Sequence, residues 1–536
     1  MTAVKRGAVC ALMIAAGLIV SRPAVAQIRR DAPPEEKEIT AAMRLEDLNS
    51  RLRELERIKA AYPRSAQIAR IDTFIYDAKI DLAPTVGAVL RLQKSVVGQG
   101  QGTNRLTGFV QAAARILDHP KRASFDRAKV LTAILRYKEA MVESAAQPET
   151  FIAMPDKEQQ KSFTAIYVRA FDLLIARAQA NAGDGAAALS ALDSYRAAGG
   201  EANSEYLSAL GDTYKSLGRV REAYGAYLGA AVQNYRDAAD KAKAIYTQIT
   251  GRPEDFEVRL ENLRRALPFR PLAFTPPKTW KGKVVLAELF TSSENAASAA
   301  ADFGFAGLID TYPAQYLAIL EYHVPAPRPD PMMNIATKAR QDYYGIAGAP
   351  AAVIDGDLRL FGGGTRGQAE ARFKQYKAAI DARLGVGPDL TLSVRAVRKG
   401  DVINVEFDID KPTPVAEYFV ALTQSEETYK GASGIVLHKL LVRGLAKVRS
   451  AESKTAVFDL AALEKAADDY LTEAEKSDPQ DPRFKFAERH AKIDRQGLQV
   501  VVFAQDSATK KVLNAVVGDV SSSVSEKGSN AYAGRL

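Results

Sequence analysis

The chain has 536 residues, too many for one hydrophobic core when compact domains run about 100 to 200 residues, so three domains are expected. Hydrophobic residues make up 47% and charged residues 26%, the balance of a folded globular protein, which excludes an intrinsically disordered chain and one embedded in a membrane. A net charge of +9, with Lys and Arg scattered among Asp and Glu, argues against nucleic acid as a partner.

The first segment carries Lys5 and Arg6, an apolar run from Ala8 to Val20, and Ala24-Val25-Ala26 before Gln27. Basic, apolar and small residues in that order predict a secretory signal peptide over 1–26, cut after Ala26, and hence a periplasmic or secreted protein with no transmembrane anchor after cleavage. The apolar run is short for a permanent anchor, and position 27 is Gln, not the cysteine of a lipoprotein. Loss of Lys5, Arg6 and Arg22 lowers the net charge to +6. Cys10 is the one cysteine, so the mature chain has no thiol. That rules out disulfides, thiolate metal sites and cysteine nucleophiles together.

From about Glu35 to Leu267 apolar residues recur at helical spacing, as with Leu48, Leu52, Leu55 and Ile58 on one face. A helical region over 27–270 is therefore expected. Within it, Leu207, Leu210, Gly211, Tyr214, Gly218, Ala223, Tyr227 and Ala230 stand at offsets that resemble a tetratricopeptide repeat. Ile175, Ala176, Gly183, Ala188 and Leu192 resemble a preceding copy, with Gly183 and Gly218 about one 34-residue repeat apart. Two clear repeats fall short of an independent stack, so flanking helices must cap it. The run from Gly98 to Arg105 lacks the Lys-Ser/Thr of a phosphate loop and reads as a connection between helices. His119, before Pro120, reads as a turn residue.

A proline-containing linker from Pro268 to Pro277 precedes a change of period. Strands are predicted at Lys283–Thr291 and Tyr316–Val324, a strand-turn-strand at Ala351–Phe361, and helices ending at Tyr312, around Asn334–Tyr344 and over Gln368–Leu384. The stretch from Glu288 to Asp302 and the stretch from Tyr343 to Gly356 resemble the two signature segments of exported thioredoxin-like domains. The resemblance implies a thioredoxin-like α/β domain over 271–385, with a cis-proline at Pro350. It also puts Asn295 and Ser298 where the family carries its two redox cysteines. Disulfide exchange needs a thiolate and a second sulfur, and neither residue supplies one. A hydrolase using Ser298 with His323 is the catalytic alternative, without a nucleophile-elbow motif to support it. Ser293 to Ser298 read as helix caps.

Beyond Gly385 short strands follow: Leu390–Ala396, Val402–Phe407, Tyr418–Leu422, Ile435–Val442, Ala456–Phe458, Gln499–Gln505 and Val512–Val517. They predict an antiparallel β-sandwich-like domain over 386–520, interrupted by a charged helical insertion near 463–495 and followed by a flexible tail, 521–536. His438 and His490 have no companions at metal-ligand spacing, so no metal and no cofactor is expected. The expected fold class is thus multidomain, with an all-α tetratricopeptide-like array, an α/β thioredoxin-like domain and a β-sandwich-like domain. The expected role is non-enzymatic: an exported binding or scaffolding protein that holds a protein partner. An unrecognised enzyme and a structural component of the cell envelope are the alternatives.

Overall fold

The computed structural model describes residues 34–448, 454–477 and 484–522. The segment read as a signal peptide, Cys10 included, and the tail beyond 522 lie outside the described residues. Helices fill the first half and strands dominate the second. The chain divides into two compact units: one takes the chain up to Leu228 together with Tyr235–Ile245, the other Gly229–Asn234 and everything from Tyr246. The regions expected at 271–385 and 386–520 therefore share one unit.

In the helical half, α1 (Pro34–Met43), α2 (Leu48–Ala61), α3 (Ile68–Leu82), α4 (Val86–Gln93), α5 (Asn104–Leu117) and α6 (Arg127–Ala145) precede the long α7 (Lys157–Ala182). After it come α8 (Gly185–Ala197), α9 (Ser204–Ser216), α10 (Val220–Val232), α11 (Ala238–Thr250) and α12 (Asp255–Arg265). Many start on a side-chain cap: Asp47, Asp126, Asp156, Asp184 and Asn203 each accept a hydrogen bond from a backbone N–H of the first turn. Gly183 ends α7 at φ 88°, the left-handed conformation that glycine reaches without a Cβ clash. The run Gly98–Arg105 lies largely in the connection between α4 and α5, its last two residues starting α5.

In the second unit the strand order is β4-β3-β1-β2-β8-β7-β10-β11-β5-β6-β9. Here β1 is Val285–Thr291, β2 Leu317–His323, β3 Ala351–Ile354, β4 Leu358–Phe361, β5 Thr391–Lys399 and β6 Val402–Asp410. The rest are β7 (Ala416–Thr428), β8 (Leu437–Val448), β9 (Thr455–Asp459), β10 (Leu498–Asp506) and β11 (Val512–Ser522). Helices α13 (Ala299–Thr311) and α15 (Ala369–Leu384) cover one face of the β1–β2 region, and α14 (Ile335–Tyr344) lies against the other. Helix α16 (Leu460–Ser477) begins three residues before the charged insertion and forms its first part.

β1 and β2 run parallel in register from Val285↔Leu317 to Thr291↔His323, while β3 pairs antiparallel to β1. Alternation then sorts the side chains. Val285, Ala287 and Leu289 join Leu317 and Ile319 in the core beneath α13 and α15. Leu286, Phe290, Leu320 and Tyr322 join the opposite core, which also takes Phe419 and Phe503 from β7 and β10. A second pairing binds the later strands in: β2 meets β8 in parallel at Glu321↔Leu441. A further core gathers one face of β5 and β6 (Ile403, Val405, Phe407) against β7 and β10 (Val420, Leu422, Val500, Val502). The stretch read as a linker, 268–277, is strapped down by its rings: Phe269 lies 5.1 Å from Phe373, and Phe274 lies 4.6 Å from Tyr312.

One of the fully buried polar contacts of this unit is an ion pair. Glu288 on β1 points to the α14 side, and Arg340 of α14 meets it in a fork: Nε to Oε1 at 2.7 Å and Nη2 to Oε2 at 2.9 Å. Arg340 Nη1 donates to Gln505 of β10 at 2.9 Å, and Tyr344 donates to Glu288 at 2.6 Å. The guanidinium lies 4.5 to 5.2 Å from the ring centres of Tyr344, Tyr343, Phe503 and Phe419. Two charges out of water are tolerated there because both carboxylate oxygens and all three guanidinium nitrogens have hydrogen-bond partners.

Candidate functional site

The residues singled out from sequence at 295, 298 and 350 come together at the start of α13. Asn295 opens a 3₁₀ turn over Ala296–Ser298, where its Oδ1 accepts from Ala297 N at 3.0 Å. Its Nδ2 donates to Ala349 O at 2.9 Å, next to the Ala349–Pro350 peptide, which is cis. Ser298 is fully buried, and its hydroxyl accepts from Ser292 N at 3.3 Å. Of the segment read as caps, Asn295 caps; Ser293 instead donates through N and Oγ to Asp330, at 2.6 and 2.8 Å.

Asp330 is the centre of a buried polar cluster. It takes His323 Nδ1 at 3.1 Å and Met332 N at 2.8 Å in addition to Ser293. Burial pushes its carboxyl up, but the neighbouring His323 and these hydrogen bonds outweigh burial and hold it at about 2. A carboxylate only accepts, so His323 donates from Nδ1, and its Nε2 is buried without a partner. No hydrogen bond joins His323 to Ser298, and both side chains are buried, so the pair considered for hydrolysis is not assembled as nucleophile and base. The His438 ring stands edge-on to His323 at 4.9 Å. Burial holds His438 down at about 3, and its Nε2 donates to Tyr429 O at 3.0 Å. Among the described residues no group of three or more His, Cys, Asp or Glu is placed to hold a metal ion.

Beside this cluster lies a cavity of about 160 Å³ between α12, α13, β2 and β8. Strand alternation sends Glu321 to the face of β2 that carries His323, toward α13, where Asp302 waits. Asp302 Oδ1 accepts from Thr291 Oγ1, while its Oδ2 is buried without a partner. Burial raises Asp302 to about 7 and lifts Glu321 well above the ordinary carboxylate range. Sequence reading passed over Glu321 and Asp330, although a lone Glu inside the apolar strand YLAILEYHV is the signal that finds it.

Compared with known proteins, the chain matches no family model, no curated protein and no solved structure.

The repeat residues lie in the helical half. Tyr227 is 1% exposed, packs over Gly211, and donates to Asp212 Oδ1 at 2.6 Å. Ala223 and Ala230 are fully buried; Leu210 and Tyr214 are half-buried. Gly218 is left-handed at φ 71° after α9, as Gly183 is after α7. His119 opens a turn, its carbonyl accepting from Arg122 N at 3.0 Å, and its ring is also a buried anchor, with Nε2 donating to Ile80 O at 2.7 Å and Nδ1 accepting from Lys121 N. Among the described residues no helix is long and apolar enough to cross a membrane.

Proposed function

We propose that the chain is an exported, non-enzymatic binding protein. In this reading helices α7 to α10 are tetratricopeptide-type pairs that hold an extended or helical segment of a protein partner. The region around Asn295 and Pro350 is a thioredoxin-like module that has lost redox chemistry. The observation that carries the reading is the helix pairing itself: two helices each ended by a left-handed glycine, Gly183 and Gly218, with the Tyr227 ring filling the space that Gly211 leaves. Stacked helix pairs of this kind offer a concave surface for a peptide segment. The chemistry at 295 and 298 supports the same side of the argument, because an amide bonded to Ala349 and a buried hydroxyl supply neither nucleophile nor leaving sulfur.

Affinity capture from an envelope extract with the full mature chain tests the proposal. Asn295→Ala should capture the same partner as the wild type. Gly211→Val should lose it, since a β-carbon there would sit 2.5 Å from the Tyr227 ring. The opposite pattern would move the function to the sheet-containing unit.

A further inference from the structure

The cavity beside Asp302 has two kinds of wall. From α13 and β2 come carboxyl groups, Asp302, Asp310 and Glu321, and from α12 and β8 come cations, Arg264, Arg265 and Lys439. Two of these cations already have carboxylate partners. Arg265 pairs with Glu261 at 3.0 Å, and Lys439 stands 4.0 Å from Asp310. Arg264 donates from Nη2 to Ala231 O at 2.9 Å, but its Nε is buried with no acceptor. Asp302 Oδ2 is likewise buried with no donor. Asp302 is 7% exposed and Arg264 6%. An unpaired buried polar atom costs about 1 to 3 kcal/mol, and the two residues that carry these atoms, of opposite character, both line the cavity.

From this geometry we infer that the cavity binds a small zwitterionic amino acid, its ammonium on Asp302 and Glu321 and its carboxylate on Arg264. The size agrees: a cavity of about 150 Å³ takes a six-membered carbon ring, and the smallest amino acids have about as many heavy atoms. His438 reinforces the acceptor side. With Nε2–H given to Tyr429 O and the ring held neutral by burial, its Nδ1 carries a lone pair and no proton.

Charge adds a signature that a structural pocket would lack. Asp302 is faced by Thr291 from β1, Glu321 and His323 from β2, Asp330 from the following loop, Tyr376 from α15, Arg264 and Arg265 from α12, and His438 and Lys439 from β8; Asp310 follows on its own helix. Burial holds Asp302 at about 7, so an ammonium ligand meets a mostly protonated acid at pH 6 and a mostly ionised one at pH 7.5. Affinity should rise about eightfold over that interval.

Isothermal titration of the full mature chain with glycine, L-alanine, methylamine and acetate tests the inference. Glycine or alanine should bind at millimolar concentration or below, with an affinity that climbs from pH 6 to 7.5. Methylamine and acetate, each with one charge, should bind at least tenfold more weakly. Asp302→Asn and Arg264→Gln, checked for folding by their melting curves, should each weaken the amino acid at least tenfold, and Asp302→Asn should flatten the pH dependence. No heat from either amino acid would overturn the inference. So would equal binding by methylamine or acetate, or a flat wild-type pH profile, results that do not depend on how the variants fold.

Discussion

Replacing Arg340 with Met removes the one cation from a sealed part of the sheet-containing unit while keeping most of the volume. Glu288, fully buried, would keep only the hydroxyls of Tyr344 at 2.6 Å and Tyr322 at 3.2 Å. Breaking a buried ion pair from one side costs about 3 to 5 kcal/mol, because the remaining charge is stranded out of water. Gln505 Oε1 loses its donor as well, about 1 kcal/mol, and the guanidinium's contacts with the four surrounding rings go. A loss of about 4 kcal/mol or more is expected for Arg340→Met. The double variant Arg340→Met with Glu288→Gln should recover much of it, since removing both charges leaves nothing stranded. Urea unfolding followed by Trp280 fluorescence reads the result, because Trp280 is the only tryptophan of the chain and packs 4.7 Å from Tyr316 in this unit. If Arg340→Met lowers stability by less than about 1 kcal/mol, Glu288 does not depend on the guanidinium and the assignment of this pair as the rivet between β1, α14 and β10 is wrong.

Other outcomes follow from the same geometry. Tyr227→Ala should cost about 3 to 5 kcal/mol, because the whole ring is buried, and Tyr214→Ala distinctly less, because that ring is half-exposed; denaturant midpoints compare them. Asn295→Cys with Ser298→Cys should form a disulfide under mild oxidation, seen as a loss of titratable thiols; two persistent free thiols in the folded protein would show that the thioredoxin-like alignment is misplaced. Asp302 has a folded pKa above its unfolded value of about 4, so its contribution to stability is full below pH 4 and is lost as pH rises toward 7. Relative to Asp302→Asn, the wild type should therefore lose on the order of 1 kcal/mol per pH unit across that window, and a pH-independent difference would contradict the burial argument. His438 has the opposite sense: held neutral at about 3, it contributes stability above the unfolded value of about 6.5 that is lost as pH falls toward 3, and His438→Gln should remove that acid sensitivity.

Local order was the legible part. Period-two patterning placed strands at 316–324 and 402–407 within a few residues of β2 and β6, and the helical reading of the first half agrees with α1 to α12. What sequence could not supply is pairing between distant segments. That β8 adds to β2 through Glu321↔Leu441 joins residues more than a hundred positions apart, and no local pattern encodes it. The linker reading of 268–277 rested on its prolines, while Phe269 and Phe274 find partners only once α13 and α15 are in place. The turn at His119 was legible from the following Pro120, but the carbonyl that its ring meets, on Ile80, lies 39 residues away. At the site, Asn295, Ser298 and Pro350 were visible through motif spacing, whereas Asp330 and Glu321 matter through what they face in space.

The proposed binding role of the helical half is tested most directly by photo-cross-linking in native cells, with the probe placed along α7 to α10 and, separately, along β4 and α15 in the full chain. A discrete cross-linked partner is expected from positions on α7 to α10 and none above background from β4 or α15. A partner captured only from β4 and α15, with the helical positions silent, would contradict it.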